Sequence, residues 1–339
     1  MFYFAGIDLH SNNLWLCVLD AAGRAVFEKR VPNDLNVVLA ILSRWSKEEI
    51  SVVVESTFNW YWLVDGLEGA GYGVKLAHIN AARAYDGIKH RDDRKDANWL
   101  AELDRLGLVP KAYICPRPLR DIRGLLRKRR QLVRQRTALW LSMGTYWQRE
   151  QGVRLSRQAL SAVTAEQVRE TWAERPLVGL AVKTSWKVVQ TLEIQIRQLE
   201  KAVLAQLKTC EPVRRLETIP GIGTILAWTI HLETGTIERF SKVGDYASYC
   251  RCVESRATSN GKRKGAGNRK NGNGYLKSAF QEAAVHAVRW EPAAQKYYER
   301  KRRQRNAVVA HAALASKRCR AAYWIQRNGV AYDPTRSFA

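Results

Sequence analysis

Four carboxylates in the first 96 residues have the types and spacing of a divalent-metal site: Asp8 in FAGIDLH, Glu55 in SVVVEST, and Asp93 and Asp96 in KHRDDRKDANWLAEL. Asp8 and Glu55 close short apolar, β-branched runs that read as strands, so a sheet would hold them rigidly side by side. Asp93 and Asp96 open a segment that reads as a helix. Their i, i+3 spacing places them on one face, about 4.5 Å apart along the axis. Hard oxygen ligands of this kind suit Mg²⁺, or Mn²⁺ in its place, bound through a few carboxylates together with substrate phosphates. The bland alternative, acids solvated at the ends of loops, fits any one of them better than it fits the set.

The charge balance says whose phosphates these would be. The 339 residues carry 56 Lys and Arg against 32 Asp and Glu, a net charge of +24, so a polyanion is the expected partner. With 46% hydrophobic residues the chain can bury two or three cores, which excludes a basic tail. No charged leader precedes the first strand-like run, and no apolar run approaches the roughly 20 residues of a membrane span. A cytoplasmic protein without membrane contact is therefore expected. Six scattered cysteines, with one C-x-C at Cys250 and Cys252, read as reduced thiols.

The elements that must position the acids alternate over residues 1–112. YFAGIDL, NLWLCVLD and AVFEKRV predict three antiparallel strands, the first two elements of that series leading to a turn at Asp20–Gly23. A helix from Asn33, its N-cap candidate, to Lys47 leads to the buried strand ISVVVES. Then follow an aromatic helix (FNWYWLVDGLEGAG), a strand (YGVKLAH) and the helix around DRKDANWLAEL. Three strands, then helix-strand-helix-strand-helix, is the order of the ribonuclease-H-like fold, where carboxylates from the first strand, the fourth strand and a late helix converge. The fold class expected is α/β.

A second region, 113–210, reads as basic and helical. Arg120, Arg123, Arg127, Arg130 and Arg134 fall on one stripe and Leu119, Ile122, Leu126 and Val133 on another, a pattern able to track a phosphate backbone while packing on protein. Val189, Leu192, Ile196, Leu199 and Val203 alternate three-four spacing within a helix of about 184–208, which fits a coiled-coil partner or an intramolecular one. The third region, 211–339, reads as mostly α. LETIPGIGTILAWTI is similar to a helix-hairpin-helix element, in which Gly221 and Gly223 let backbone N–H groups approach a phosphate. Residues 255–281 contain no acid. SRATSNGKRKGAGNRKNGNGYLK gathers seven Lys or Arg, five Gly and four Asn, including Lys262, Arg263, Lys264, Arg269 and Lys270, as a loop that contacts nucleic acid. Ser259 sits where a hydroxyl could meet a phosphorus atom, although serine in such a segment is more often a turn residue.

IDLH with Asp8, VVVES with Glu55, D-x-x-D-A from Asp93 to Ala97 followed by LAEL, then LETIPGIG and SNGKRKGAGNRKNGNGYL, occur in this order. On these motifs the chain resembles, over nearly its whole length, the 110 family of insertion-sequence transposases. The resemblance implies a resolvase-like DEDD domain and a C-terminal transposase domain bearing a serine, with the helical and coiled-coil region read above as the linker between them. It further implies a bacterial, nucleoid-associated DNA recombinase, guided by a structured bridge RNA that pairs with donor and target double-stranded DNA. Asp8, Glu55, Asp93 and Asp96 would hold Mg²⁺, and the motif serine would form a phosphoserine link to DNA. That serine maps onto Ser259, with Ser255 and Thr258 close by. Asp92 is an extra acid where many relatives carry a small polar residue.

Covalent attack conserves the phosphodiester energy, so strands can be exchanged and rejoined without ATP. Ser259 and the acids are far apart in sequence, so assembly as a homodimer or homotetramer through the heptad helix is expected. The alternative is a hydrolytic nuclease of the resolvase or ribonuclease-H type, in which metal-activated water attacks and Ser259 only contacts backbone. A binding protein with a decayed catalytic fold is disfavoured because all four acids are present.

Overall fold

The computed structural model describes residues 2–78, 93–206, 210–254, 257–259, 262–265 and 271–338. The chain divides into two compact units, Met1–Ile114 and Cys115–Ala339. The middle region expected over 113–210 falls almost wholly within the second.

In the first unit β1 (Tyr3–Leu9), β2 (Asn13–Leu19), β3 (Ala25–Pro32), β4 (Ile50–Glu55) and β5 (Gly73–Ala77) form one sheet in the order β3-β2-β1-β4-β5. β1 pairs antiparallel with β2 and parallel with β4, so the chain reverses direction beside the central strand. Strand periodicity sorts the side chains. Ala5, Ile7, Leu14, Leu16, Val18, Val52 and Val54 build the larger core with α1 (Leu35–Leu42) and α2 (Tyr61–Gly69). The opposite face, with Cys17, Leu19, Val53 and Ala77, receives Ala97, Leu100 and Ala101 of α3 (Asp93–Arg105). Burial raises the Cys17 thiol to about 11, aided by the nearby Glu28 carboxylate. A half-buried ion pair, Lys75 to Asp104 at 2.5 Å, ties α3 to β5.

Several helix limits differ from the sequence reading, including that of the helix expected over about 184–208, which spans Pro176–Gln206. Asp34, not Asn33, caps α1, accepting from the Asn36 N–H, and α1 stops at Leu42 rather than Lys47. Asn33 instead donates to the carbonyls of His10 and Ser11. α2 starts at Tyr61 because residues 58–60 turn: Thr57 donates to Asn59, whose amide reaches the His10 carbonyl.

Among its described residues, the regular structure of the second unit is helical apart from a short hairpin. Its longest elements, α4 (Arg117–Gln151) and α7 (Pro176–Gln206), pack against each other. Val182, Val189, Ile196 and Val203 recur every seven residues and are all buried. Arg129 pairs with Glu200 at 2.6 Å and Arg136 with Glu193 at 3.9 Å, so a step of seven forward on α4 is a step of seven back on α7. The helices are therefore antiparallel. The heptad seam finds its partner inside the chain, which removes it as the argument for oligomerisation. Trp140, Trp147 and Trp172 close the end that carries α5 (Arg157–Ala162) and α6 (Ala165–Thr171).

The remaining helices are α8 (Glu211–Glu217), α9 (Thr224–Thr234), α10 (Val243–Tyr249), α11 (Gly274–Trp290), α12 (Pro292–Gln304), α13 (Ala307–Asn328) and α14 (Pro334–Phe338). Their core is rich in small residues, Ala279, Ala283, Ala284 and Ala287 on α11 and Ala310, Ala315 and Ala322 on α13, so these helices approach closely. All six cysteines are free, and no described helix is long and apolar enough to cross a membrane.

Candidate active site

Asp8 is the penultimate residue of β1 and Glu55 the last of β4. The parallel register runs to Ile7↔Val54, so the next residue on each strand is one of these acids. Both project on the face that carries Gly6 and Val53, the face covered by α3. α3 opens with Asp93 and Asp96 in its first turn, where the positive end of the helix dipole favours carboxylates.

Gly6 sets how closely these pieces approach. A Cβ there would lie 2.1 Å from the Ala97 carbonyl oxygen and 2.6 Å from the Ala101 nitrogen. Only a residue without a side chain lets the α3 backbone rest on β1. Gly6→Ala is expected to cost about 3 kcal/mol, the upper part of the usual overpacking range, because the obstacle is backbone. Cleavage should fall by about 100-fold, the scale of a 1 Å displacement of reacting groups. Thermal unfolding and a cleavage assay of the same preparation check both.

Among the described residues, Asp8, His10 and Asp93 form one tight group. His10 Nε2 lies 2.9 Å from Asp8 Oδ2 and 3.4 Å from Asp93 Oδ1. One ligand atom from each of the three residues falls within a 4.8 Å cluster. The Asp8 side chain is only 4% exposed, whereas Asp93 is 56% exposed, so the site has a buried inner acid and an outer acid open to solvent. The two carboxylates offer the oxygen donors that suit Mg²⁺ or Mn²⁺, and the imidazole between them is a donor that Mn²⁺ accepts more readily than Mg²⁺. Glu55 and Asp96 share the face but are not part of the three-residue cluster.

His10 is the residue that sequence reasoning missed. Its signal was present in Asp8-Leu-His10, because residues two apart in extended chain point the same way. Asn33 and Asn59 were missed too. Both donate to the His10 carbonyl at 3.0 Å and fix the segment that carries the imidazole. Arg94, next to Asp93, pairs with Glu28 of β3 at 2.5 Å and so anchors the start of α3.

The basic residues are placed unevenly. Arg120 and Arg123 are buried, so the expected stripe is not one continuous solvent face. Arg120 donates through Nε and Nη2 to the Cys115 carbonyl at 3.2 and 2.9 Å. Arg127 forms a two-bond pair with Glu233, at 2.6 and 2.7 Å, while Arg130 donates to Ser278 and lies over the Tyr275 ring. Arg134 is exposed and shares with Arg130 and Tyr275 a cleft of about 650 Å³.

Gly221 has φ +92°, and a Cβ there would lie 2.3 Å from the Ala283 carbonyl oxygen. Its demand for glycine comes from packing on α11. Gly223 is the N-cap of α9, with open space around it. The stretch expected as loop contains two short antiparallel strands, β6 (Ala257–Ser259) and β7 (Lys262–Gly265), with Ser259 opposite Lys262. Lys262 is exposed. Only the backbone is described at Ser259, Arg263 and Lys264. Asp92, Ser255, Arg269 and Lys270 lie outside the described residues.

Residues 5–143 match a family of DEDD transposases typified by IS110, described as "Transposase". Residues 213–299 match the family described as "Transposase IS116/IS110/IS902 family". The first match spans all four acids, and the second spans Gly221, Gly223 and Ser259. The chain is similar to the transposase for insertion sequence element IS1111A of Coxiella burnetii, 24% identical over 296 residues that cover 82% of this chain and 76% of that one. It is similar also to a probable family 20 transposase of Pseudomonas aeruginosa, 25% identical over 284 residues, 81% of this chain and 82% of that one.

Proposed function

Because this chain belongs to the IS110 family of insertion-sequence transposases, with a DEDD domain, we propose that it cuts and rejoins donor and target DNA through a Mg²⁺ site at Asp8, Glu55, Asp93 and Asp96, with Ser259 as nucleophile and a structured RNA as guide. The observation that carries this reading is the meeting of Asp8 and Asp93 at His10, at the end of the central strand. A divalent cation bound there supplies Lewis-acid stabilisation of the charge that develops on the oxygens of the scissile phosphate. Asp8, held by burial and by His10, fixes the inner position. Asp93 faces solvent, where a phosphate would arrive. His10 keeps the two carboxylates together.

In the transfer step the Ser259 Oγ–P bond forms as the P–O bond to the leaving strand breaks. The departing oxygen gains the proton that the serine hydroxyl gives up, so neither oxidant nor ATP is required. Lys262, exposed opposite Ser259, together with Arg263 and Lys264, would neutralise phosphates near it. Base pairing to a guide would leave the protein to read backbone and shape, which suits so basic a chain.

A second reading is hydrolysis by metal-activated water. It is favoured by the fact that Asp8, His10 and Asp93 come together within the first unit alone. Ser259→Ala separates the two. The substitution removes one oxygen without adding bulk, so its stability cost should be within about 0.5 kcal/mol. Wild-type protein with labelled DNA, guide RNA and Mg²⁺ should give a protein–DNA adduct that survives a denaturing gel, and Ser259→Ala should give none. An adduct mapped to Ser255 moves the nucleophile. Free strand ends without any adduct, at the same rate in both proteins, mean hydrolysis.

A further inference from the structure

The C-terminal helices carry a basic, aromatic face that the sequence motifs did not single out. A cleft of about 410 Å³ there is lined by Lys317, Arg320, Trp324, Tyr332 and Arg336. Its size lies within the range of small-ligand sites. The Trp324 ring is half exposed and braced edge-on by Tyr323 at 5.1 Å. A second cleft, of about 640 Å³, is lined by Lys296, Tyr297, Arg300, Arg303 and Phe338.

The two clefts meet at one tie. Lys317 Nζ donates to the Ser337 carbonyl at 2.6 Å and lies over the rings of both Tyr297 and Phe338, which fixes α14 between them. The acids lining these clefts are Asp333 and Glu299, and each has a partner, Arg336 at 3.3 Å and Arg302 at 2.9 Å. Burial, with Arg300 and Arg320 nearby, lowers the pKa of Lys317, as expected where positive charge is crowded.

We propose that this face binds a single strand of nucleic acid, with one unstacked base on the Trp324 indole and the flanking phosphates over Arg320 and Arg336. An exposed aromatic beside cations is how proteins hold single strands, because every base offers a π-face and every link a phosphate. In a duplex both faces of a base are already stacked, and a cleft of this size admits a nucleotide but not a helix. The proposal rests on the nucleic-acid partner of the preceding reading and not on its cleavage site.

The test uses the full chain with a labelled 20-nucleotide single strand, in one arm RNA and in the other DNA of the same sequence, and with the matching DNA duplex. Trp324→Ala should weaken single-strand binding by about tenfold, within the range for loss of one base–aromatic stack. Trp324→Phe should recover most of it, and duplex binding should change less than twofold. Arg320→Ser, an exposed position, should reduce the salt slope by about 0.7 and keeps the test informative if Trp324→Ala lowers stability. The arm that loses affinity tells whether the strand is RNA or DNA. Asp8→Asn should leave this binding unchanged, which separates it from the cleavage reading. Single-strand affinity within twofold of wild type in both arms for both variants overturns the proposal. So does an equal loss on duplex, and so does a change in self-association of Trp324→Ala with affinity intact, which would make the face a protein contact.

Discussion

Asp8→Asn should reduce DNA cleavage by about 10³-fold while leaving nucleic-acid binding within twofold of wild type. The substitution keeps the volume and shape of the side chain and removes its charge. Asp8 is the most buried of the four acids and lies against His10, so no neighbouring carboxylate can take over its position. Losses of this order follow removal of a single preorganised electrostatic contact at a phosphate or carbonyl centre. Stability should stay level or rise, because a buried carboxylate is costly to keep charged. A cleavage time course with matched binding and thermal unfolding measurements checks all three. Asp92→Ala, outside the D-x-x-D spacing, should be mild in the same assay.

The largest effect on stability is expected at Arg127. Its guanidinium makes two short hydrogen bonds to Glu233, whose side chain is 2% exposed and which also accepts from Asn273 at 2.8 Å. Asn273 in turn caps α11 through the N–H groups of Tyr275 and Leu276. Arg127→Ala leaves a buried carboxylate with one neutral donor, at a cost of about 3–5 kcal/mol. For a unit of this size that lowers the unfolding temperature by roughly 10 °C. The double variant Arg127→Met, Glu233→Met removes both charges and should recover most of the loss. The salt dependence of DNA binding should change little in either variant. A fall of about 0.9 in its slope, with stability intact, would mean that Arg127 contacts phosphate instead.

Much of the first unit was legible in the sequence because its strands alternate or run continuously apolar between clear turns. β1, β2, β4 and β5 fall within a residue or two of YFAGIDL, NLWLCVLD, ISVVVES and YGVKLAH. The helix limits were less legible for a local reason. Asn33 and Asn59 have the side chains of helix caps, but both are drawn to the His10 carbonyl, a contact across 23 and 49 residues. Propensity cannot see such a partner. Position 10 was overlooked as a site residue for the same reason, since its importance depends on where α3 lands and thus on Gly6.

In the second unit the periodicities were visible, but not what they faced. The heptad of α7 was legible at Val189, Ile196 and Val203; that its partner is α4 depends on Arg129 and Arg136 meeting Glu200 and Glu193. The arginine stripe was real as spacing. Its first two members nonetheless turn inward, where the Cys115 carbonyl gives Arg120 a buried acceptor. Long side chains let a helix bury stems on a face that composition marks as polar. The Asn260-Gly261 dipeptide between β6 and β7 was an available hairpin signal within a stretch read only for its charge.

The most direct measurement of the central claim is metal binding by the full chain without nucleic acid, followed by the electron paramagnetic resonance of Mn²⁺ during titration. The wild-type protein should bind Mn²⁺, Mg²⁺ should displace it, and Asp8→Asn and Asp93→Asn should each weaken binding by at least about tenfold. His10→Ala should weaken it less, if the imidazole mainly holds the carboxylates in place. Equal Mn²⁺ binding by wild type, Asp8→Asn and Asp93→Asn, together with DNA cleavage that survives chelation of divalent ions, would contradict the account.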